Sequence, residues 1–515
     1  MKKKLLLCIP LFMGFSAFSQ NIPRTNCDSC WNPDSLGNHR VVVAFDDTGN
    51  IAKANIEWRR RDFHPELKRI IVEDAKTHQK VLNVKTDNID REAGEIYFEP
   101  LSGKGIYYIY YMPYKNEGRS NYPKGVYLNP ENTASAEWLK GIEKNKNIPV
   151  VKLKEIQSIN AFNSFYPMEI IATKAETQKI IQQNKNQPFV IFPEDRLHSI
   201  RMKNDLPKRW IEKGIKTSFA DTAMKGENFA YQLGIYALED LKNITVHFSD
   251  LKDENGNIIS EKNMSCLNTS GTDYEGKPMQ KIVDVEKGNV QPLWCLINIP
   301  ENTSAGKYTG KVIVTSDKNS IAKEITVLLF VKNEIAKNQG VNEPWKMTRL
   351  TWLNSTMAQD NTVIAPYIPL KVSGNEISLL GRKVSLDASG LPGQIQTFFT
   401  SEMTGYQKEP NNLLTEAIHF HFTKKSDKKN ISLKKGGVKY TLQQAGTVQW
   451  NATNTSDDLQ MDVEGSLEFD GFLSYKVKVT ALNDIELSNI SMHIPFEKKE
   501  AKYIMGLGLK GEQRP

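Results

Sequence analysis

Tyr475-Lys476-Val477-Lys478-Val479-Thr480 alternates apolar and polar side chains without a break. A period of two belongs to a strand with one buried and one wet face, so this stretch is predicted to line one side of a sheet. Further out, residues 41–45, 105–111, 244–248, 311–314 and 325–331 are short, rich in β-branched or aromatic side chains, and bounded by turn residues. Helix signals are sparse. Thr173-Lys174-Ala175-Glu176 has the spacing of a capping box ahead of Ile180-Ile181, and residues 134–144 around Trp138 read as a second short helix. Many short strands with little helix predict a mainly β protein of three consecutive β-sandwich domains, the third a sandwich or supersandwich.

The 515 residues are 39% hydrophobic and 25% charged, a globular composition. At about 100 to 200 residues per domain, three domains is the natural count. Polar linkers such as Gln182-Gln183-Asn184-Lys185-Asn186-Gln187 set the boundaries. The expected order is a signal peptide over 1–19, a cysteine-containing segment over 20–36, sandwiches over 37–187 and 188–337, and a third domain over 345–499. A connector over 500–515 follows. Gly506, Gly508 and Gly511 have the spacing of a dinucleotide loop there, but no helix or acidic residue follows as that fingerprint requires. The segment is expected to lead towards a catalytic domain absent from this chain.

Lys2-Lys3-Lys4 precedes an apolar stretch over 5–18 that ends among small residues, the layout of a secretory signal. It is too short for a membrane span, and no later stretch supplies one. Export to the periplasm, the cell surface or the medium is expected. Without the three leader lysines, 64 cations face 60 acids, a balance of +4. That is too mild and too dispersed for nucleic acid, which selects clustered basic stripes.

Four cysteines would remain after export, an even number in an oxidising compartment. Cys266 and Cys295 lie in or beside strand-like segments of one domain and are expected to pair. Cys27 and Cys30 form a C-x-x-C in a Pro/Asn/Asp-rich segment. No helix or βαβ pattern supports a redox site there, and two cysteines supply only half of a zinc site, so a local or inter-domain disulfide is favoured.

Residues 192–202, 205–210 and 226–236 follow in order, and Ile299-Pro300 then leads through a turn into Gly306-Lys307-Tyr308-Thr309-Gly310. This pattern resembles the sandwich module that precedes the catalytic barrel in many bacterial polysaccharide-degrading enzymes. Together with Trp352-Leu353-Asn354, Gly390-Leu391-Pro392 and Met505-Gly506-Leu507-Gly508, the chain after Cys30 resembles the N-terminal part of large exported Bacteroidetes proteins related to glycoside hydrolase family 123. The resemblance implies a following (β/α)8 barrel with an acidic pair acting on a glycosidic bond. Such a barrel takes about 250 residues of alternating strand and helix, and no stretch here fits one. The resemblance therefore implies the non-catalytic front of an exported glycoside hydrolase, acting by carbohydrate binding or domain scaffolding, and leaves open whether this chain is itself an enzyme. The alternative is a complete exported carbohydrate-binding or scaffold protein without enzymatic activity.

No catalytic, cofactor or metal residues are assigned. Glu194-Asp195 is an adjacent acid pair, but neighbouring side chains of an extended segment point apart, and Arg196, Arg201 and Arg209 make ion-paired structural acids the expected reading. His419 and His421 share one face of a strand, yet no third ligand with matching spacing is evident. Asp221-Thr222-Ala223 resembles a short Bacteroidetes O-glycosylation acceptor. Sugar platforms need exposed aromatic faces, and Trp58, Trp210, Trp345, Trp352 and Trp450 are candidates. Trp210 is singled out because it follows Asp205, Lys208 and Arg209 in a run too polar for a central strand. Asp205, Arg209 and Trp210 are the expected carbohydrate contacts, with a glycan as partner.

Overall fold

In the computed structural model, residues 22–119, 121–317, 319–506 and 509–513 are described; the expected signal peptide lies outside them. The protein is mainly β, and its described helices are short. Two compact units divide it, one holding residues up to Thr272 with Pro278–Asn354, the other Asp273–Lys277 with the residues from Ser355 onward.

In the first unit, a five-stranded sheet runs in the order Arg24–Asn26, Lys152–Ser158, His39–Phe45, Gly105–Tyr110, Ile71–Asp74. A three-stranded sheet of Ala52–Ile56, Gly94–Phe98 and Val84–Asp87 faces it. Alternate residues of each sheet, Val41, Val43 and Phe45 from one and Ala54, Ile96 and Phe98 from the other, share a core, the packing of a sandwich. Further along, a four-stranded sheet (Phe189–Glu194, Asn228–Ala237, Val290–Asn298, Met264–Cys266) faces a six-stranded sheet built on Ser218–Lys225, Asn319–Ile335 and Gly306–Ser316.

This four-stranded sheet is covered on both sides. Phe189, Ile191 and Ile235 point into the sandwich core, while Val190, Phe192 and Tyr236 point the other way, onto Trp210, Ile180 and Met168. Every residue of Asn228–Ala237 is buried as a result. The outer layer is helical. Lys174–Gln183 starts on the expected capping box, with Thr173 Oγ1 accepting from the Glu176 amide and the Glu176 carboxylate accepting from the Thr173 amide. Lys208–Lys213 forms the other helix.

The second unit contains a five-stranded meander from Lys371–Ser373 to Tyr406–Asn412, a four-stranded sheet from Lys439–Gln443 to Leu473–Ala481, and the pair His419–Lys424 with Leu487–His493. Tyr475 and Val477 pack on its cores and Lys476 and Lys478 face water, as the alternation predicts. Val479 departs from it and is exposed.

Cys27 and Cys30 are disulfide-bonded. The bridge expected between Cys266 and Cys295 is not formed: both are buried free thiols, directly opposite one another on antiparallel strands.

Candidate functional site

The five candidate tryptophans separate cleanly. Trp58, Trp210 and Trp450 are 2%, 1% and 0% exposed, whereas Trp345 and Trp352 are 50% and 60% exposed. Each buried one lies over a strand glycine: a Cβ at Gly94, Gly234 or Gly465 would stand 2.4, 2.3 or 2.3 Å from the indole of Trp58, Trp210 or Trp450. Close approach of an aromatic plane to a bare backbone is what glycine in a strand permits. Trp210 therefore offers no face to a sugar. Its polar neighbourhood belongs to a short helix, not a strand, and the helix drives the indole onto Phe192, with ring centroids 4.6 Å apart and nearly parallel.

Asp205 and Arg209, expected beside Trp210 on one sugar, have separate partners. Asp205 makes a two-pronged pair with Arg91, at 2.6 and 2.9 Å. Arg209 reaches Glu194 at 3.0 Å and Asp195 at 3.3 Å. Glu194, with no exposed side-chain surface, also accepts from the Trp210 indole at 3.2 Å and from Lys213 at 2.9 Å. The ion-paired reading of these acids holds, with Arg209 and Lys213 as partners, while Arg196 pairs with Glu227 and Arg201 with Glu169. The two carboxylates nonetheless converge on Arg209, because the strand ends at Glu194 and Asp195 turns away from strand geometry. Burial pushes the Asp195 carboxyl up, but the hydrogen bond and charge of His198 outweigh it and hold the group below its usual value. Gln232, fully buried, locks the turn by donating to the Asp195 and His198 carbonyls and accepting from the Ile200 amide.

A larger opening adjoins this region within the first unit. A cleft of about 750 Å³ is lined by Trp58, Tyr111, Tyr127, Phe162, Phe165 and Tyr166 together with seven basic side chains, including Arg60, Lys68 and Arg201, and three acidic ones, Asp62, Glu169 and Asp205. The charges do not balance. Asp62 serves both Arg60, at 2.7 and 2.9 Å, and Lys68; Glu169 serves both Arg61 and Arg201. Burial raises the Asp62 carboxyl, yet the Arg60 hydrogen bonds and charge bring it below its usual value.

Arg60 lies over Trp58 and Tyr111 and is only 5% exposed, and its Nη1 has no hydrogen-bond partner among the described residues. A buried guanidinium donor left unpaired is costly unless a ligand or water meets it. Beside it, Arg59 takes a left-handed backbone (φ 52°) and is held by a two-pronged bond to Glu176, the same residue that caps the Lys174–Gln183 helix. Burial lowers the His39 pKa, and the ring meets the Asn163 carbonyl at 2.9 Å. Arg59, Arg60 and Arg61 read in the sequence as a short basic run among acids, and periodicity gives no sign that they enclose a cleft.

Among the described residues, two sets of side chains could hold a cation: Glu194 with Asp195 and His198, and His419 with His421 and His493. The first is already filled by Arg209 and Lys213. In the second, His493 supplies the third ligand that spacing alone did not reveal, since it stands opposite His419 across an antiparallel pair.

Three family models match the chain: the N-terminal domain of glycoside hydrolase 123 over residues 29–159, a second model of a glycoside hydrolase 123 N-terminal domain over 270–316, and the third domain of glycoside hydrolase 123 over 370–515. No curated protein matches. Among solved structures, a family 123 glycoside hydrolase from Clostridium perfringens, studied for glycolipid glycan hydrolysis, is 21% identical over 29% of this chain, with a TM-score of 0.23. The match spans 28% of that enzyme. A FixG-related protein from Vibrio parahaemolyticus is 13% identical over 28% of this chain and 98% of its own, with a TM-score of 0.16. The fimbrial subunit MyfA of Yersinia enterocolitica, solved with galactose, is 14% identical over 23% and 93%, with a TM-score of 0.17. By its N-terminal and third domains, the chain is related to glycoside hydrolase family 123.

Proposed function

We propose that this chain is the carbohydrate-binding, non-catalytic portion of an exported glycoside hydrolase of the family 123 type, and that the cleft around Arg60 holds an acidic saccharide. The observation that carries this reading is the buried Arg60 Nη1, a donor without a hydrogen-bond partner among the described residues, in a cleft whose exposed aromatic faces include Tyr127 and Phe162. Exposed aromatic faces stack on sugar rings, and the Nη1 donor left over from the two-pronged Arg60–Asp62 pair can give a single charge-assisted hydrogen bond to a carboxylate or sulfate. The surplus of basic side chains, with Asp62 and Glu169 each shared by two cations, supports an anionic over a neutral ligand. The related family supports a glycan as the ligand class.

Affinity electrophoresis of the full chain through gels containing acidic or neutral polysaccharide tests the reading. Retardation is expected with an acidic polymer and is expected to fall at least fivefold in the double variant Phe162→Ala with Tyr127→Ala. Phe162 is 94% and Tyr127 46% exposed, so the fold should tolerate both changes. Equal mobility in every gel, or undiminished retardation of the variant, would overturn it.

A further inference from the structure

Strand register brings three imidazoles to one face of the second unit. His419 and His421 are two apart in one strand and so point the same way, and His493 is the direct cross-strand partner of His419. Ring centroids stand 4.8 Å apart for His419 and His421, 5.3 Å for His419 and His493, and 4.2 Å for His421 and His493. Their ligand nitrogens lie within 4.8 Å of one another.

We propose that His419, His421 and His493 form a binding site for a late transition-metal dication, with Zn²⁺ as the reference ion. One outer contact of the rings already suits this role, and a second does so once a side-chain amide turns over. His419 Nδ1 lies 2.8 Å from the Ala417 carbonyl. A carbonyl only accepts, so Nδ1 carries the proton and Nε2 presents its lone pair to the cluster. His421 Nδ1 lies 2.6 Å from the Asn430 side-chain nitrogen, which in this orientation donates to it and leaves the His421 proton on Nε2, while the Asn430 oxygen accepts from the Thr423 hydroxyl. With that amide turned to offer its oxygen, Nδ1–H donates outward and His421 Nε2 also becomes a ligand. Carbonyl and amide acceptors behind a metal-bound imidazole are the usual outer support of such sites.

The two Nε2 atoms are 2.9 Å apart. Tetrahedral zinc, with bonds of about 2.0–2.1 Å, separates its ligand nitrogens by about 3.3 Å. Opening the pair by ~0.4 Å therefore admits the ion, and His493, on the solvent side, closes the third position. A cavity of about 420 Å³ lined by His419, His421, Asp387 and Glu416 adjoins the rings and leaves room for water as fourth ligand. Three nitrogens with no thiolate suit zinc, nickel or copper and disfavour calcium and magnesium.

Isothermal titration of tag-free, EDTA-treated full chain with ZnCl₂ tests the site. One equivalent per chain is expected, with affinity weakened at least tenfold in His493→Ala and in His421→Gln and unchanged in His247→Ala, an exposed histidine on a strand of the first unit. Binding of Cu²⁺ should give an electron paramagnetic resonance spectrum with three nitrogen couplings that becomes two in His493→Ala. Circular dichroism establishes that the variants fold. Absence of saturable Zn²⁺ binding, or binding of equal strength in folded His493→Ala, would overturn the proposal.

Discussion

The Glu194–Asp195–His198 cluster and the His419–His421–His493 cluster both bring ligating atoms within 4.8 Å of one another, yet they are opposite kinds of object. The acids are closed by the protein itself: Arg209 and Lys213 neutralise them, the Trp210 indole donates to Glu194, and Gln232 fixes the turn. The histidines bond outward to Ala417 and Asn430, and inward His419 and His421 meet only each other, with no counter-charge between them among the described residues. Proximity of ligands thus says little about a site. What separates structure from reception is whether the chain has already supplied the counter-charge.

Truncation should expose that difference most sharply at the acid cluster. Trp210→Ala empties the layer between Phe192 and Gly234 and is expected to cost about 3–5 kcal/mol. Glu194→Gln keeps the shape but strands two cations, at about 2–3 kcal/mol, less than for a fully buried pair because Arg209 and Lys213 retain some contact with water. Urea denaturation measures both; a loss below 1 kcal/mol in each would dissolve the contrast with the histidine cluster.

His39 tests an intermediate case, a polar ring closed by burial instead of by charge. Its native pKa is depressed, burial being the main cause and the neighbouring Arg24 adding to it. The unfolded chain therefore takes up a proton first as pH falls. Stability is full above about pH 6.5 and declines below it towards the native pKa. Comparing denaturation midpoints at pH 7.5 and 5.5 should show a drop in the parent chain that shrinks in His39→Gln. An equal drop would assign the pH dependence elsewhere.

The smallest effect is expected at the histidine cluster. Without metal, His493→Ala should shift stability by under about 0.5 kcal/mol, since the ring is exposed and its contacts are to other rings. A loss as large as that at Glu194 would make this cluster structural as well.

Much of this molecule could be read from sequence where the signal is local. Alternation located the strand holding Tyr475 and Val477, the Thr173–Glu176 spacing located a helix cap, and the C-x-x-C located the Cys27–Cys30 bridge. Readings failed where a second layer or a distant strand decides. Trp210 looked exposed because its flanks are charged, but that charge lies on a short helix that roofs the outer face of Phe189–Glu194. The third histidine was not evident from spacing because only strand register joins His493 to His419. Arg60 gave no signal at all: its burial follows from Trp58 and Tyr111 folding around it. The opposed thiols of Cys266 and Cys295 show the reverse: proximity was legible, but the bond is not formed.

The strand Asn228–Ala237 belongs to two cores at once. An ordinary sandwich strand has a wet side that absorbs mutational drift and blunts the damage of a register slip. This one has none. Deleting a single residue would exchange the inventories of both cores together, sending Leu233 and Ile235 towards the Trp210 layer and Gly234 and Tyr236 into the sandwich. Variation should therefore be sparsest along these residues, and the helical roof and the sandwich beneath it should be inherited, and lost, as one piece.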